Sequence, residues 1–225
     1  MPRIARAVAI DFPHHIIQRG NNRQKVFFAI DTRKKYLELV KEYALQWDAS
    51  VLAYCLMTNH IHLLIKPHQE DSLAKMMQGV SQGYAKYINR RYKRTGRLWE
   101  SRYYSCVVDE ESYLWQVAWY IEKNPKRAGL VRQEEDYPYS SARAHVLDVP
   151  DKVLTEELFD TEERNGYIEF LKTEPTDKEI SNIRKATKIG RPKIGRPLGD
   201  ENFIIKIGRL LGRHFLKTAP AKPHK

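Results

Sequence analysis

Four short segments of the chain are apolar or alternate between apolar and polar residues, a pattern that predicts β-strands. They are HIIQR (15–19), SVLAYCLM (50–57), HIHLLIK (60–66) and RYYSCVV (102–108). The second and third are close enough in sequence to form a hairpin, with Asn59 near the turn. Pro67 follows the third and ends it.

Helices are predicted where apolar residues instead recur every three or four positions. These segments are residues 31–47, 72–92 and 110–124. Asp31 and Asp109 are the predicted N-caps of the first and the third helix. Pro125 is expected to end the third helix, because the residue before a proline disfavours helical geometry.

The resulting order, β-α-β-β-α-β followed by one more helix, is typical of the ferredoxin-like split βαβ fold. We therefore expect an α+β protein whose antiparallel sheet carries helices on one face, with an extra helix after the fourth strand. Three regions are predicted: a main domain at 1–145, a helical extension at 146–185 and a basic Gly/Pro linker with a short helix at 186–225. Asp200 is the predicted N-cap of that last helix.

Charge narrows the possible partners. The 225 residues carry a net charge of +11, with a pI near 9.5, which points first to a polyanion such as DNA or RNA. The positive residues concentrate in patches such as NRRYKRTGR and NPKRAGLVR, whereas residues 154–166 are acidic. No apolar run is long enough to span a membrane and the two cysteines indicate no disulfide framework, so a cytoplasmic protein is expected.

His60 and His62 are unusual within an otherwise apolar strand. Residues two apart in a strand share a face, so the two imidazoles point the same way. They form either half of a metal site or an unusual part of the core. Cys55 and Cys106 could complete a zinc site with them, but these cysteines lack the close pairing of structural zinc sites.

A second pair of residues lies in the third predicted helix. Tyr120 and Asn124 are four residues apart, so they lie one turn from each other on the same face. An asparagine amide oxygen can ligate a metal, and an activated phenol is a nucleophile. A tyrosine on an amphipathic helix is more often a packing residue, so this pair acquires weight only together with the histidines.

Taken together, three motifs in order resemble a known family. LMTNHIHLLI, GRLWESRYYSCVVDEESYL and YIEKNPKRAGLV...DYPYSS are similar to segments of the REP-associated tyrosine transposases, which belong to the HUH (His-hydrophobic-His) endonucleases. HIIQRGNNRQKVFF resembles the first strand and turn of that family. The resemblance covers residues 10–145 well and the C-terminal tail more loosely.

The resemblance implies a role for each motif residue. His60, His62 and Asn124 would bind a divalent metal, Mg²⁺ or Mn²⁺, and Tyr120 on the extra helix would be the catalytic nucleophile. The implied reaction is nicking and joining of DNA through a 5′-phosphotyrosine. Thr58 departs from the family, which usually has proline there, and this affects the loop but no ligand position.

Single-stranded or hairpin-forming DNA is the expected partner, since phosphate-binding cations alternate with aromatic residues in the basic segments. The aromatic residues are Tyr92, Trp99, Tyr103 and Tyr104, of which Trp99 fits the core better. The expected DNA-binding residues are Arg19, Asn21, Asn22, Arg23, Arg90, Arg91, Lys93, Arg94, Arg97, Arg102, Lys126 and Arg127.

Two other functions remain open from the sequence. One is a DNA-binding protein that keeps the fold but no longer cuts, which the complete set of four motif residues disfavours. The other is an RNA-binding ferredoxin-like domain, which needs exposed aromatic residues on the central strands, where this chain has histidines. The sequence leaves undecided whether the protein is a monomer or a homodimer.

Overall fold

The computed structural model describes residues 8–173, 175–186 and 197–215. The strands are β1 (His14–Arg19), β2 (Ala49–Leu56), β3 (His60–Pro67) and β4 (Tyr104–Val107). The α-helices are α1 (Ile30–Gln46), α2 (Ser72–Arg91), α3 (Leu114–Glu122), α4 (Asn124–Arg127), α5 (Ala142–Leu147), α6 (Thr161–Lys172), α7 (Asp177–Ala186) and α8 (Glu201–Leu210). None of the helices in these ranges has the length and apolar character needed to cross a membrane.

The four strands form one sheet in the order β2-β3-β1-β4, and each neighbouring pair is antiparallel. β1 and β3 are therefore central. This arrangement confirms the predicted α+β fold with a ferredoxin-like antiparallel sheet.

Successive residues of the central strands face opposite layers, and both strands carry buried apolar side chains on both of their faces. Ile16 and Leu63 pack with α1 and α2 in one hydrophobic core. Leu64 lies in a second core on the other face of the sheet, together with residues of α3, α6 and α7. The extra helix α3 thus covers the sheet face that the ferredoxin-like core leaves open.

The two predicted N-caps Asp31 and Asp109 were wrong. Asp31 is inside α1, because the cap is built at Ala29, whose backbone N–H donates to the Thr32 hydroxyl at 3.2 Å. The Asp31 carboxylate pairs instead with Arg91 of α2, at 2.5 Å. α3 begins at Leu114, so Asp109 precedes it by a turn, and β4 is likewise shorter than predicted.

The C-terminal part of the chain returns to the sheet. Leu198, predicted to be linker, donates its backbone N–H to the Val107 carbonyl at 2.7 Å and extends the β4 edge. Asp200 caps α8 as predicted by accepting from the Phe203 backbone N–H at 2.7 Å. Short helices are present between residues 141 and 183 as expected, whereas most of the predicted linker, 187–196, lies outside the described residues.

Candidate functional site

The paired histidines face the α3 side of the sheet. His62 is opposite Ile17 of β1 and Cys55 of β2, and the ring centroids of His60 and His62 are 5.1 Å apart. His62 is buried and His60 half-buried. Burial lowers the pKa of His60 to about 4 and that of His62 well below its usual value. Both rings are therefore neutral near pH 7, as metal ligation requires.

Hydrogen bonds engage one nitrogen of each ring and leave the other available. His60 Nδ1 lies 2.7 Å from Asn59 Oδ1, and His62 Nδ1 lies 3.0 Å from Nε2 of His15. Within the described residues, neither Nε2 atom has a hydrogen-bond partner. Each of the two neighbouring imidazoles thus has an Nε2 atom that no group of the described residues engages.

Tyr120 is next to this pair. α3 places its ring edge-on to His62, with the ring centroids 5.5 Å apart. The Tyr120 side chain is buried. The guanidinium of Arg127, in the next helix α4, lies 5.5 Å from the centre of the Tyr120 ring. A potential nucleophile, two potential metal ligands and a cation therefore meet in one place, although Tyr120 and His62 are far apart in sequence.

Asn124 presents its amide oxygen because its amide nitrogen is already engaged. Its Nδ2 donates to the Tyr120 carbonyl at 2.5 Å and approaches that of Ile121 at 3.5 Å, at the end of α3. No hydrogen bond to Oδ1 is formed within the described residues. Asn124 can therefore act as an oxygen ligand beside the nucleophile.

The donor atoms available here are two imidazole nitrogens and one amide oxygen, a set of residues that can hold a divalent ion. A closed zinc site that includes Cys55 and Cys106 does not form, since no three His, Cys, Asp or Glu side chains of the described residues gather around one point. Both thiols are buried, and burial raises the pKa of Cys106 to about 12.

The predicted DNA-binding residues fall into three groups around the fold. The first group lies at the candidate site, where Arg127 is over the Tyr120 ring and Arg19 is opposite His60 in the β1–β3 ladder. Arg19 makes a two-point ion pair with Glu100 at 2.7 and 3.0 Å. The second group is the turn after β1, with Asn21, Asn22 and Arg23. The third is the end of α2 and the following loop, with Arg90, Arg91, Lys93, Arg94, Arg97 and Arg102. Lys126 is engaged with Glu134 at 3.1 Å.

The aromatic residues divide into core and surface. Trp99 is buried against Tyr36 and Tyr84, which confirms its core role, and Tyr103 is also buried, contrary to its expected role in stacking. Tyr92 is 37% exposed and pairs with Phe28, 40% exposed, at a centroid distance of 4.9 Å. Phe28 was not identified from the sequence, although an aromatic residue beside a basic turn was a usable signal.

Cations flank the Phe28–Tyr92 pair. The Arg94 guanidinium lies 5.3 Å from the centre of the Phe28 ring, and that of Arg91 lies 5.8 Å from the Tyr92 ring. The sheet itself offers no aromatic surface for RNA, because helices cover both of its faces. The aromatic and basic surface suited to nucleic acid is thus at the end of α2.

Known proteins resemble this chain in sequence and in fold. A family model described as IS200-like transposase matches residues 10–124. A REP-associated tyrosine transposase of Haemophilus influenzae is 25% identical over 124 residues, which cover 51% of this chain and 70% of that relative. A solved REP-associated tyrosine transposase bound to a REP hairpin superposes with a TM-score of 0.55 and 15% identity, over 71% of this chain and 94% of that structure. The expected resemblance is confirmed: this chain belongs to the IS200-like transposase family.

Proposed function

We propose that this protein nicks and rejoins single-stranded DNA through a covalent tyrosine intermediate, with Tyr120 as nucleophile and with a divalent ion at His60, His62 and Asn124. The observation that carries the proposal is the placement of the Tyr120 ring against His62, whose Nε2 is unengaged. A tyrosine that served only to pack α3 would not need neutral histidines with free nitrogens beside it.

The proposed reaction exchanges one phosphodiester for another. The Tyr120 oxygen attacks the scissile phosphorus and loses its proton, a P–O bond to tyrosine forms, the bond to the 3′ oxygen breaks, and that oxygen takes up one proton in exchange for the one the phenol lost. The products are a 5′-phosphotyrosine and a free 3′-hydroxyl. Because the new bond remains a phosphodiester, a 3′-hydroxyl of another strand can reverse the step without an external energy source.

Side chains of the protein support this chemistry in distinct ways. When bound, Mg²⁺ or Mn²⁺ supplies Lewis-acid polarisation of the phosphate. The Arg127 guanidinium lies above the Tyr120 ring, where it can contact the phosphate that the phenol attacks. Arg19 is held rigidly by Glu100 near His60, so it can bind a neighbouring phosphate with little loss of side-chain entropy.

The proposed substrate is a single strand that emerges from a hairpin. Only an unpaired strand exposes bases for stacking on the Phe28–Tyr92 pair, and the cations at the end of α2 can contact its backbone. The net charge of +11 favours any nucleic acid, so the charge supports binding but does not select the substrate.

The direct test is a covalent-adduct assay. Labelled hairpin DNA with a single-stranded flank, taken from the borders of the protein's own gene, is incubated with the protein and Mn²⁺ or Mg²⁺. A denaturing gel should show a protein–DNA band that disappears with EDTA and in Tyr120→Phe. Tyr113→Phe is the matched control, because Tyr113 precedes α3 and should leave the band unchanged.

The other outcomes separate the alternatives. Tight binding without an adduct, over several flanking hairpins and with both metals, would identify a DNA-binding protein that has lost its activity. An adduct that persists in Tyr120→Phe would assign the nucleophile to another tyrosine.

A further inference from the structure

His15 makes a contact that the proposed chemistry leaves unused. It is fully buried on β1, its ring lies edge to edge with that of His62 and nearly in the same plane, at an interplanar angle of 23°, and its Nε2 lies 3.0 Å from His62 Nδ1. The other nitrogen, His15 Nδ1, is buried without a hydrogen-bond partner. Two neutral imidazoles thus share one hydrogen bond at the centre of the site.

This hydrogen bond can be made in two ways. If His62 carries its proton on Nδ1, it donates to His15, and its Nε2 keeps a lone pair for a metal. If His15 carries its proton on Nε2, it donates to His62, whose own proton must then be on Nε2, where it blocks ligation. A neutral imidazole has one proton, so the partner of Nδ1 determines whether Nε2 can bind a metal.

For His60, in contrast, the hydrogen bonds allow only one tautomer. Asn59 Nδ2 donates to the Arg23 carbonyl at 3.0 Å, which turns the Asn59 amide oxygen toward His60 Nδ1 at 2.7 Å. An amide oxygen can only accept, so His60 must carry its proton on Nδ1 and present a lone pair on Nε2. The two ligand histidines therefore differ in how firmly their tautomers are set.

A hydrogen bond between two ring nitrogens 3.0 Å apart needs one donor and one acceptor, so a single proton lies between His15 Nε2 and His62 Nδ1. Carboxylates and carbonyls are the usual partners of metal-bound histidines. A neutral imidazole in that position is a weaker and reversible acceptor.

We propose that His15 is a positioning residue: by accepting the Nδ1 proton of His62, it selects the tautomer in which His62 Nε2 binds the metal. The inference rests on the proposed function, since it takes His62 as a metal ligand. In the metal-binding tautomer the His15 proton moves to Nδ1, which has no acceptor. Metal binding at His62 therefore carries the free-energy cost of a buried N–H group without an acceptor. This cost favours weak and exchangeable metal binding over a permanent structural ion.

The test compares two variants of similar size in the full chain. His15→Gln can place an amide oxygen near the position of Nε2, whereas His15→Met fills the space without an oxygen acceptor. Titration calorimetry with MnCl₂ alone, without DNA, should show an affinity about 10- to 100-fold lower in His15→Met, the range seen when a partner of a ligand histidine is removed. His15→Gln should recover most of that loss, which a purely structural role would not explain. Equal thermal melting curves would show that both variants fold.

A measurement on the unaltered protein is independent of variant folding. With ¹⁵N-labelled histidine and saturating Mg²⁺, the nitrogen chemical shifts should place the His62 proton on Nδ1 and the His15 proton on Nδ1. A His62 proton on Nε2 would overturn the inference, as would unchanged Mn²⁺ affinity in folded His15→Met. If the unaltered protein binds no Mn²⁺ at all, the proposed metal site itself fails, and the inference with it.

Discussion

Two buried polar clusters flank helix α3, and they differ in how completely their atoms are paired. The tyrosine–histidine cluster is Tyr120, His62 and His15, and the anchoring cluster is formed around Glu122. Tyr120 and Glu122 are two residues apart, so they project to nearly opposite sides of the helix. One side of α3 therefore meets the sheet, while the other meets the helices that follow.

The anchoring cluster is densely hydrogen-bonded. The Glu122 carboxylate is fully buried and accepts from Ser141 Oγ at 2.5 Å, His145 Nδ1 at 2.6 Å and the Tyr167 hydroxyl at 2.8 Å. In the tyrosine–histidine cluster one hydrogen bond joins the two histidines, and His15 Nδ1 is buried without a partner. The anchoring cluster also has one unpaired ring nitrogen, His145 Nε2, but its charged group, the Glu122 carboxylate, is paired on both oxygens. A buried charge left unpaired is costly, so the paired carboxylate marks a stabilising contact.

The largest expected effect separates the two clusters by exchanging a tyrosine in each. Tyr120→Phe should reduce adduct formation by at least about 10³-fold, because the nucleophilic oxygen is lost, with little change in stability. Tyr167→Phe should lower the free energy of unfolding by about 1–3 kcal/mol, because it leaves part of the buried Glu122 carboxylate without a donor. Gel assays at 20 °C, well below melting, should show normal adduct formation in Tyr167→Phe. A loss of adduct there, in folded protein, would show that the two clusters are not separate.

The next effect concerns the anchor itself. Glu122→Ala should lower the free energy of unfolding by about 3–5 kcal/mol, since it leaves Ser141, His145 and Tyr167 without their acceptor. Glu122→Gln should cost less, because an amide oxygen still accepts. Denaturant titration would measure both changes. A loss below about 1 kcal/mol in Glu122→Ala would contradict the stabilising role assigned to this cluster.

The overall architecture was predictable because it follows from local periodicity. Strand order follows from the β-α-β-β-α-β pattern, and helix α2 agrees with prediction to within one residue. The helix starts were less predictable, because side chains compete for them. Asp31 is of a residue type that often caps helices, but here its carboxylate forms an ion pair with Arg91. This contact joins two helices, so the local sequence cannot show it.

The proximity of the candidate site residues was predictable where a motif is local and was missed where partners are distant. His60 and His62 are two residues apart, but His15 is 47 residues from His62, and only the register of β1 against β3 brings them together. Glu122 stands out as one acid in the apolar segment LWQVAWYIE, yet its partners follow 19, 23 and 45 residues later. A single charged residue in an apolar helix could have predicted a buried, hydrogen-bonded carboxylate, but it could not have identified the residues that bind it.

At the surface, the Phe28–Tyr92 pair exposes aromatic rings, whereas the aromatic residues of the core are covered. Tyr92→Leu should weaken binding to a single-stranded flank by about 1–3 kcal/mol, which is about 5- to 150-fold in affinity, because one stacking surface is lost. Tyr92→Phe is the matched control and should bind normally. The dependence of affinity on salt should not change, since no charge is removed. Equal affinity of Tyr92→Leu and the unaltered protein would exclude stacking at this pair.

The smallest effect is expected at His14, the neighbour of His15 on the other face of β1. Its Nδ1 donates to the Phe12 carbonyl at 2.7 Å, and its Nε2 accepts from the Ala9 backbone N–H at 3.2 Å, so only the neutral ring satisfies both contacts. Burial lowers the pKa of His14 to about 4, below its unfolded value of 6.5. The unfolded chain then binds more protons between these values, so stability is full above pH 6.5 and falls as the pH decreases toward 4.

For His14 this loss is about 1 kcal/mol between pH 7 and pH 5.5. Other buried histidines contribute to the total, so the informative quantity is the difference between the unaltered protein and His14→Gln. Glutamine offers a donor and an acceptor but does not titrate, and denaturant titrations at the two pH values should therefore show a smaller loss in that variant. An equal decrease in the free energy of unfolding in both proteins would show that the folded chain also accommodates a charged His14. The contacts with Phe12 and Ala9 would then not hold the ring in its neutral form.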